Sequence, residues 1–322
     1  MIIGEDIVGR SAAIKKVFNL VLRVAPTDAT VFLTGETGSG KEVLARAIHS
    51  LSKRADEPFV AVNCSAIPET LLESELFGYK RGAFTGALVD KKGIIEEANK
   101  GTLFLDEIGD MSLTTQAKIL RVLENSEIRR LGDSDSKKVD VRIIAATNKD
   151  PWKEVQNNRF REDLFFRLNV VRIHIPPLRE RKEDIPILIR HFLEKYNKDY
   201  NKDVIRISDE VLAILMNYDY PGNVRELENI IKHAIIFSEN GIITKANLPS
   251  GIPSPALLKP AEKEDDGILP NNVEFMTIAD MERRLIKETL KKCNNNQKLA
   301  AEKLGISRST LWRKMKEYNL EN

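Results

Sequence analysis

Cysteine is nearly absent from this chain. Cys64 and Cys293 are the only two, and they lie far apart. They make neither a disulfide framework nor a zinc site, and they fit a reducing cytosol, so a cytoplasmic location is expected. Histidine is scarce too, four in all, with no spacing suited to ligating a transition metal. No apolar run reaches the ~18 residues of a membrane helix, and the N-terminus lacks a signal-peptide pattern. A membrane partner is therefore not expected. Neither sign of charge is in excess: 50 basic against 48 acidic residues leave a formal +2. Any affinity for nucleic acid has to be sought locally. No internal repeat is found. What remains is 42% hydrophobic and 30% charged over 322 residues, enough for a sizeable core and two or three domains.

The chain is organised around Gly35-Glu36-Thr37-Gly38-Ser39-Gly40-Lys41-Glu42. An apolar β-rich run, Thr30 to Thr34, precedes it, and a helical pattern beginning at Val43 follows. Strand, glycine-rich turn and helix form the context of a phosphate-binding loop. The glycines let successive N–H groups turn inward at phosphate oxygens, Lys41 adds a point charge, and the helix adds its positive end. Ser or Thr usually follows the lysine to touch magnesium. Here the residue is Glu42, so the metal must be held elsewhere.

Upstream, Ile7-Val8-Gly9 either packs on an adenine ring or is an ordinary surface turn; spacing favours neither. Downstream, the strand Phe59 to Cys64 presents Asn63 near its end. A helix over Glu69 to Phe77 leads to Gly82-Ala83-Phe84-Thr85-Gly86-Ala87. So many small residues disfavour a helix interior. Phe84 is either a tucked-in anchor or an exposed contact. The apolar strand at Gly101 to Leu105 ends in Asp106 and Glu107, at the carboxyl end where α/β sheets bind ligands. Asp106 suits a magnesium ion and Glu107 suits polarisation of an attacking water. A further strand, Val141 to Ala146, ends in Thr147 and Asn148. Four strand ends thus converge in chemistry, which describes an ATPase built on a doubly wound, mostly parallel sheet.

Arg161 and Arg167 are six apart. They are either surface charges, which spacing favours, or arginine fingers for a neighbouring subunit's nucleotide. From Lys182 to Asn240 the pattern is helical, with a Tyr220-Pro221-Gly222-Asn223 turn before Arg225. Prolines and an acidic run mark a linker. A helix from Thr277 to Cys293, with Ile278, Met281, Leu285 and Leu290 on one side, then leads into a helix-turn-helix. Gly305 makes the turn, Ser307 caps the second helix, and Leu311 with Met315 faces the core. Arg308, Arg313, Lys314 and Lys316 leave the other sides basic, and Ser307, Ser309 and Thr310 lie at the end that would enter a major groove.

With these motifs in hand, the chain resembles the bacterial enhancer-binding proteins, the AAA+ activators of RNA polymerase carrying sigma-54. The Gly-Ala-Phe-Thr-Gly-Ala stretch at 82–87 is that family's signature, and the family also uses Glu after the loop lysine. The resemblance implies an α/β AAA+ P-loop ATPase subdomain over 1–175, a small helical lid over 176–246, a linker over 247–274 and an all-α Fis-type helix-turn-helix domain over 275–322. It implies that ATP and Mg2+ are bound, with Gly35 to Val43, Ile7, Val8 and Arg225 around the nucleotide and Asp106 on the metal. Asp106 and Glu107 match the Walker B acids, and Asn63 matches the asparagine that restrains the catalytic glutamate. Thr147 and Asn148 match sensor I, and Arg225 matches sensor II. Arg161 and Arg167 match arginine fingers, which reverses the preference from spacing. Phe84 and Thr85, within 82–87, match the tip that touches sigma-54, and the loop from Gly132 to Lys138 matches a second pore-facing loop. One small departure is Lys100, where relatives often have glycine. Many relatives also carry an N-terminal sensor domain, whereas this chain enters the ATPase domain almost at Met1; natural control in trans and a fragment of a longer chain both fit that.

The implied partners are sigma-54 RNA polymerase holoenzyme, double-stranded enhancer DNA and further copies of the chain, from dimers to a hexameric ring. A replication initiator or unfoldase would leave 82–87 unexplained. A DNA-binding repressor with a decayed motor would show a degraded loop or lost acids, and here both are intact.

Overall fold

The structure, a computed structural model, describes residues 2–3, 7–238, 241–250, 252, 278–293 and 296–318. It divides into two compact units, 1–259 and 260–322. Most of the expected linker, and the side chain of Ile7, lie outside the described residues.

The first unit is built on a five-stranded sheet. In chain order the strands are β1 (Val31–Thr34), β2 (Phe59–Asn63), β3 (Thr102–Asp106), β4 (Arg142–Thr147) and β5 (Val171–His174), and every neighbouring pair is parallel. The order across the sheet is β5-β1-β4-β3-β2. Sequence reasoning found four of these. It missed β5, whose alternating Val-Arg-Ile-His pattern belongs to a short edge strand.

The two faces of the sheet are covered by different helices, and residue parity assigns each side chain. Phe32, Leu103, Leu105, Ile143 and Ala145 pack with residues of α3 (Glu69–Phe77), α4 (Leu113–Asn125) and α5 (Glu162–Leu168). Their sequence neighbours Val31, Leu33, Phe104, Ile144 and Ala146 point the other way, against α1 (Ala12–Val24) and α2 (Lys41–Ser50). Strands buried on both faces read as unbroken apolar runs, which is why they were legible.

A third apolar cluster belongs to the lid: α6 (Ile185–Tyr200), α7 (Asp209–Asn217) and α8 (Asn223–Ile236). Val8 joins this cluster from the start of the chain. The segment after it is pinned to the lid by Asp184. That carboxylate, fully buried, accepts from Arg10 N–H at 2.6 Å, Ser11 N–H at 2.7 Å and Ser11 Oγ at 2.8 Å.

Two short antiparallel hairpins interrupt the α/β pattern. One pairs Gly78–Tyr79 with Lys91–Lys92 and carries 82–87; the other pairs Glu127–Ile128 with Lys137–Lys138. They are joined at their bases, where Lys80 N–H donates to Leu131 O and Leu131 N–H to Gly78 O, each at 2.9 Å.

The second unit contains α9 (Ile278–Lys292), α10 (Gln297–Lys303) and α11 (Arg308–Glu317) around Ile286, Leu290, Ala300, Leu311 and Met315. The helical spacing places Leu285 on the apolar side of the first helix. It is 57% exposed, and Ile286 takes the inward position instead. The side chains of Ile278 and Met281 lie outside the described residues.

Lys100 explains its own departure. Its φ is +71°, in the left-handed region, while its N–H donates to Asp140 O and its carbonyl accepts from Arg54. A side chain in that region costs ~1–2 kcal/mol, which glycine avoids. Lys100→Gly is therefore expected to stabilise the fold by about 0.5–1 kcal/mol, net of the extra freedom glycine has when unfolded. Chemical denaturation of the two proteins measures this.

Candidate functional site

A cleft of about 440 Å³ opens at the carboxyl ends of β1, β2, β3 and β4, closed on its far side by α8 of the lid. Its walls include Thr37, Gly38, Gly40, Lys41, Glu42, Val43, Asn63, Asp106, Glu107, Asn148 and Arg225. Most of the residues singled out in the sequence are therefore neighbours in space, because parallel strands all release their loops on one edge.

Lys41 sits at the centre and is only 6% exposed. Its Nζ donates to Gly35 O at 3.0 Å and lies 3.4 Å from Glu107 Oε1. The other Glu107 oxygen accepts from Asn148 N–H at 2.9 Å, and Asn148 Nδ2 donates to Thr37 Oγ1 at 3.0 Å. One chain of contacts thus links the loop, β3 and β4. Glu107 adopts a left-handed backbone (φ +51°), which turns its carboxylate back toward Lys41. Burial, and then the neighbouring Glu107 charge, push the Asp106 carboxyl up from its ordinary value against the pull of Lys41. Within the loop, Ser39 Oγ is buried without a partner among the described residues. Thr147 is buried beside the cleft, its Oγ1 accepting from Lys149 N–H at 3.1 Å.

Other expected site residues sit elsewhere. Asn63 lines the cleft, but its Oδ1 accepts from Ser65 N–H and Oγ at 2.9 and 2.7 Å, and Glu107 is held by other groups. Glu36 and Ser39 do not line the main cleft. Ser39 faces a smaller cavity of about 70 Å³, with Val8, Ile14, Phe18, Val224 and Arg181. That cavity shares Gly40, Val43 and Val224 with the cleft. Arg161 forms a bidentate pair with Asp163 (3.0 and 2.6 Å), and Arg167 donates to Leu123 O at 3.2 Å. Neither lines the cleft of its own chain.

Sequence reasoning missed the lid's grip on the loop. Gly38, at φ +74°, passes so close to the lid that a Cβ there would lie 2.2 Å from Gly222 O. Arg179 pairs with Glu36 and holds that carboxyl down to about 2, its two hydrogen bonds being the main cause and that from Asn223 the next. The Pro-Gly-Asn turn was visible, but nothing in its spacing pointed to the loop nearly 190 residues earlier.

In the 82–87 loop, Gly82 and Gly86 have φ of +85° and +105°. Phe84 is at once anchored and exposed. Its ring meets Tyr79 edge-on at 5.0 Å, yet it remains 42% accessible. The second hairpin is held by Glu96, a buried carboxylate that pairs with Arg130 at 2.7 Å and with Lys137.

In the second unit, Ser307 caps α11 by accepting from Thr310 N–H at 3.1 Å and lies within hydrogen-bond distance of the Ser309 and Thr310 hydroxyls. Arg308, Arg313 and Lys316 are exposed, with Lys316 over the Trp312 ring. Lys314 is less free than expected: it pairs with Glu282 at 2.5 Å, and Tyr318 binds the same carboxylate.

Comparison with known proteins agrees with this layout. The family described as the sigma-54 interaction domain matches residues 7–174. The chain belongs to the sigma-54-dependent transcriptional regulators. The AAA+ ATPase lid domain matches 179–264, and the Fis family of bacterial regulatory proteins matches 277–318. Among these regulators it is 44% identical over 315 residues to the regulatory protein AtoC of Escherichia coli, covering 98% of this chain and 68% of AtoC. It is 45% identical to the DNA-binding transcriptional activator HyfR of the same species, covering 98% of this chain and 48% of HyfR. The crystal structure of NtrX from Brucella abortus in complex with ATP superposes with a TM-score of 0.72 at 34% identity, covering 97% of this chain and 69% of that one. Among the described residues no helix is long and apolar enough to cross a membrane.

The Glu96 contacts carry a pH dependence. Burial raises this carboxyl, but Lys137 and Arg130 outweigh it and hold the group below its ordinary range. A depressed carboxyl stabilises the fold fully above the ordinary glutamate range and loses that contribution as pH falls through its lowered value. Glu96→Gln should remove this acid-sensitive component. The expected result is a shallower fall of stability on acidification, with faster amide exchange at Lys137 and Lys138.

Proposed function

We propose that this regulator binds ATP in the cleft, hydrolyses it, and uses the cycle to drive the 82–87 loop against sigma-54 RNA polymerase, converting the closed promoter complex to the open one. The observation that carries the reading is the Lys41–Glu107–Asn148 cluster beside the phosphate loop, in a chain that also exposes Phe84 between Gly82 and Gly86. In its support, the similar NtrX structure is a complex with ATP.

The chain's own residues divide the chemistry. The loop backbone and Lys41 take the phosphates. The cavity by Val8, Val43 and Val224 takes the adenine, and Arg225 reaches the nucleotide from the lid. Mg2+ would neutralise the phosphates and fits Asp106, a half-buried acid lifted by its partial burial and then by the neighbouring Glu107 carboxylate. Among the described residues no group of three or more His, Cys, Asp or Glu could hold a metal, so phosphate oxygens and water would complete its shell. Glu107 polarises the attacking water. Asn148 and Thr147 report the state of the phosphates, and Asn63, turned here to Ser65, is free to swing to Glu107 as a restraint.

Arg161 and Arg167 are proposed to act in trans, in rings of this chain. Trp152, Phe166 and Val170, exposed by 42%, 59% and 61%, offer apolar area around them for a second copy. The Fis-type domain binds enhancer DNA as dimers through Ser307, Arg308, Ser309, Thr310, Arg313 and Lys316, with Lys314 mainly bracing α11.

For the chemistry, Lys41→Ala should lose nucleotide binding. Glu107→Gln should keep ATP binding while turnover falls by about 100-fold or more, since general-base contributions are of that order. Calorimetry and phosphate release measure the two; unaltered turnover would remove Glu107 from the role.

For the partner, Thr85→Ala is expected to keep DNA binding, self-assembly and most ATPase activity. It should fail to bind sigma-54 with ADP–aluminium fluoride present and fail to open a sigma-54 promoter. Normal activation by both Thr85→Ala and Phe84→Ala would overturn the assignment.

A further inference from the structure

Three successive carbonyls of the phosphate loop are held from the lid. Asn223 Nδ2 donates to Thr37 O at 3.1 Å, Arg225 N–H to Gly38 O at 3.3 Å and Arg181 Nη2 to Ser39 O at 3.0 Å. Beside them Arg179 grips the Glu36 carboxylate with bonds of 2.7 and 2.6 Å, and Asn223 adds a third at 3.1 Å. Asn223 is fully buried, and its own Oδ1 accepts from Leu178 N–H at 2.8 Å, so it cannot swing away without breaking the lid's packing. Neither Glu36 nor Arg179 lines the cleft.

In a trans peptide the carbonyl of one residue and the N–H of the next point to opposite sides. Anchoring the carbonyls of Thr37 and Ser39 therefore fixes the N–H groups of Gly38 and Gly40 on the side away from the anchors. Both glycines line the cleft, and among the described residues their N–H groups donate to nothing. Such outward-facing amides are what an anionic ligand requires.

We infer that Arg179 and Asn223 are positioning residues: through side chains that line neither cavity, and together with Arg181, which also borders the smaller one, the lid holds the phosphate loop in its anion-receiving form, and Glu36 serves as a handle rather than a nucleotide contact. The inference rests on the cleft being the nucleotide site. It makes nucleotide affinity a function of lid docking, and by reciprocity makes lid docking a function of nucleotide. Because the backbone is what is set, ADP and ATP are affected alike, and the hydrolytic step at Glu107 is not.

The test uses the exposed pair, since replacing buried Asn223 would disturb the fold. Glu36→Gln, Arg179→Gln and the double variant are made in the full chain. ADP and ATP affinities are measured by calorimetry, the saturated ATPase rate separately, and thermal melts verify folding. Each single variant should weaken both nucleotides by about three- to tenfold, the range expected for a charge-assisted, bidentate contact. The saturated rate should stay within about twofold, and the double variant should bind no more weakly than the weaker of the two singles, because both remove the Arg179–Glu36 pair. Arg179→Lys, with the charge but not the fork, should fall between. Unchanged affinity in both singles, losses that multiply in the double, or a lost rate at unchanged affinity would each overturn the inference. If the wild-type chain bound neither nucleotide, the reading of the cleft would fail, and this inference with it.

Discussion

The site depends on one buried cation. Lys41 lies between the carbonyl of Gly35 and the carboxylate of Glu107, almost wholly removed from water. A lysine in that setting persists only if acceptors compensate it. The compensation constrains three elements at once. The loop must curl to bring Gly35 O inward, β3 must end with a left-handed Glu107, and Asn148 at the end of β4 must occupy the second Glu107 oxygen. The parallel sheet makes this possible by delivering all three from one edge.

The same constraint explains the close lid. A loop of glycines has many conformations available to it, and only a few present its amides together. The helix that follows fixes one end. Asn148 and Thr147 at the end of β4 hold further points, and the lid takes the outward carbonyls through Arg181, Asn223 and Arg225 N–H. Lid and loop are thereby parts of a single site, although the two lie some 140 residues or more apart along the chain.

What was legible in the sequence follows physical lines. β1, β3 and β4 announce themselves because burial on both faces demands continuous apolar residues, and their polar ends announce the cleft. Ser307 and Gly305 mark the turn of the helix-turn-helix by local capping chemistry, and Ser307 does cap α11. β5 was missed because a short edge strand needs few apolar residues. Arg179, Arg181, Asn223 and Asp184 were missed for a different reason. Each acts on a segment more than 140 residues away, and a single sequence carries no record of such pairings. Leu285 was misread because helical spacing says which residues share a face, not which face is covered.

The two hairpins place an exposed loop and the cleft within one domain. Parallel strands require each connection to carry the chain back from the carboxyl edge to the opposite one. α3 and α4 make most of that return, and each hairpin follows one of them, before β3 and before β4. The loops therefore leave the domain from the edge opposite the cleft, joined to each other at Gly78, Lys80 and Leu131. The second is fastened to the body by Glu96, just ahead of β3. A displacement of α4, which begins a few residues after Glu107, would reach both loops together. The distance between cleft and loops is covered by helix and paired backbone. Gly82 and Gly86, with positive φ, and the half-open Phe84 keep the tip exposed.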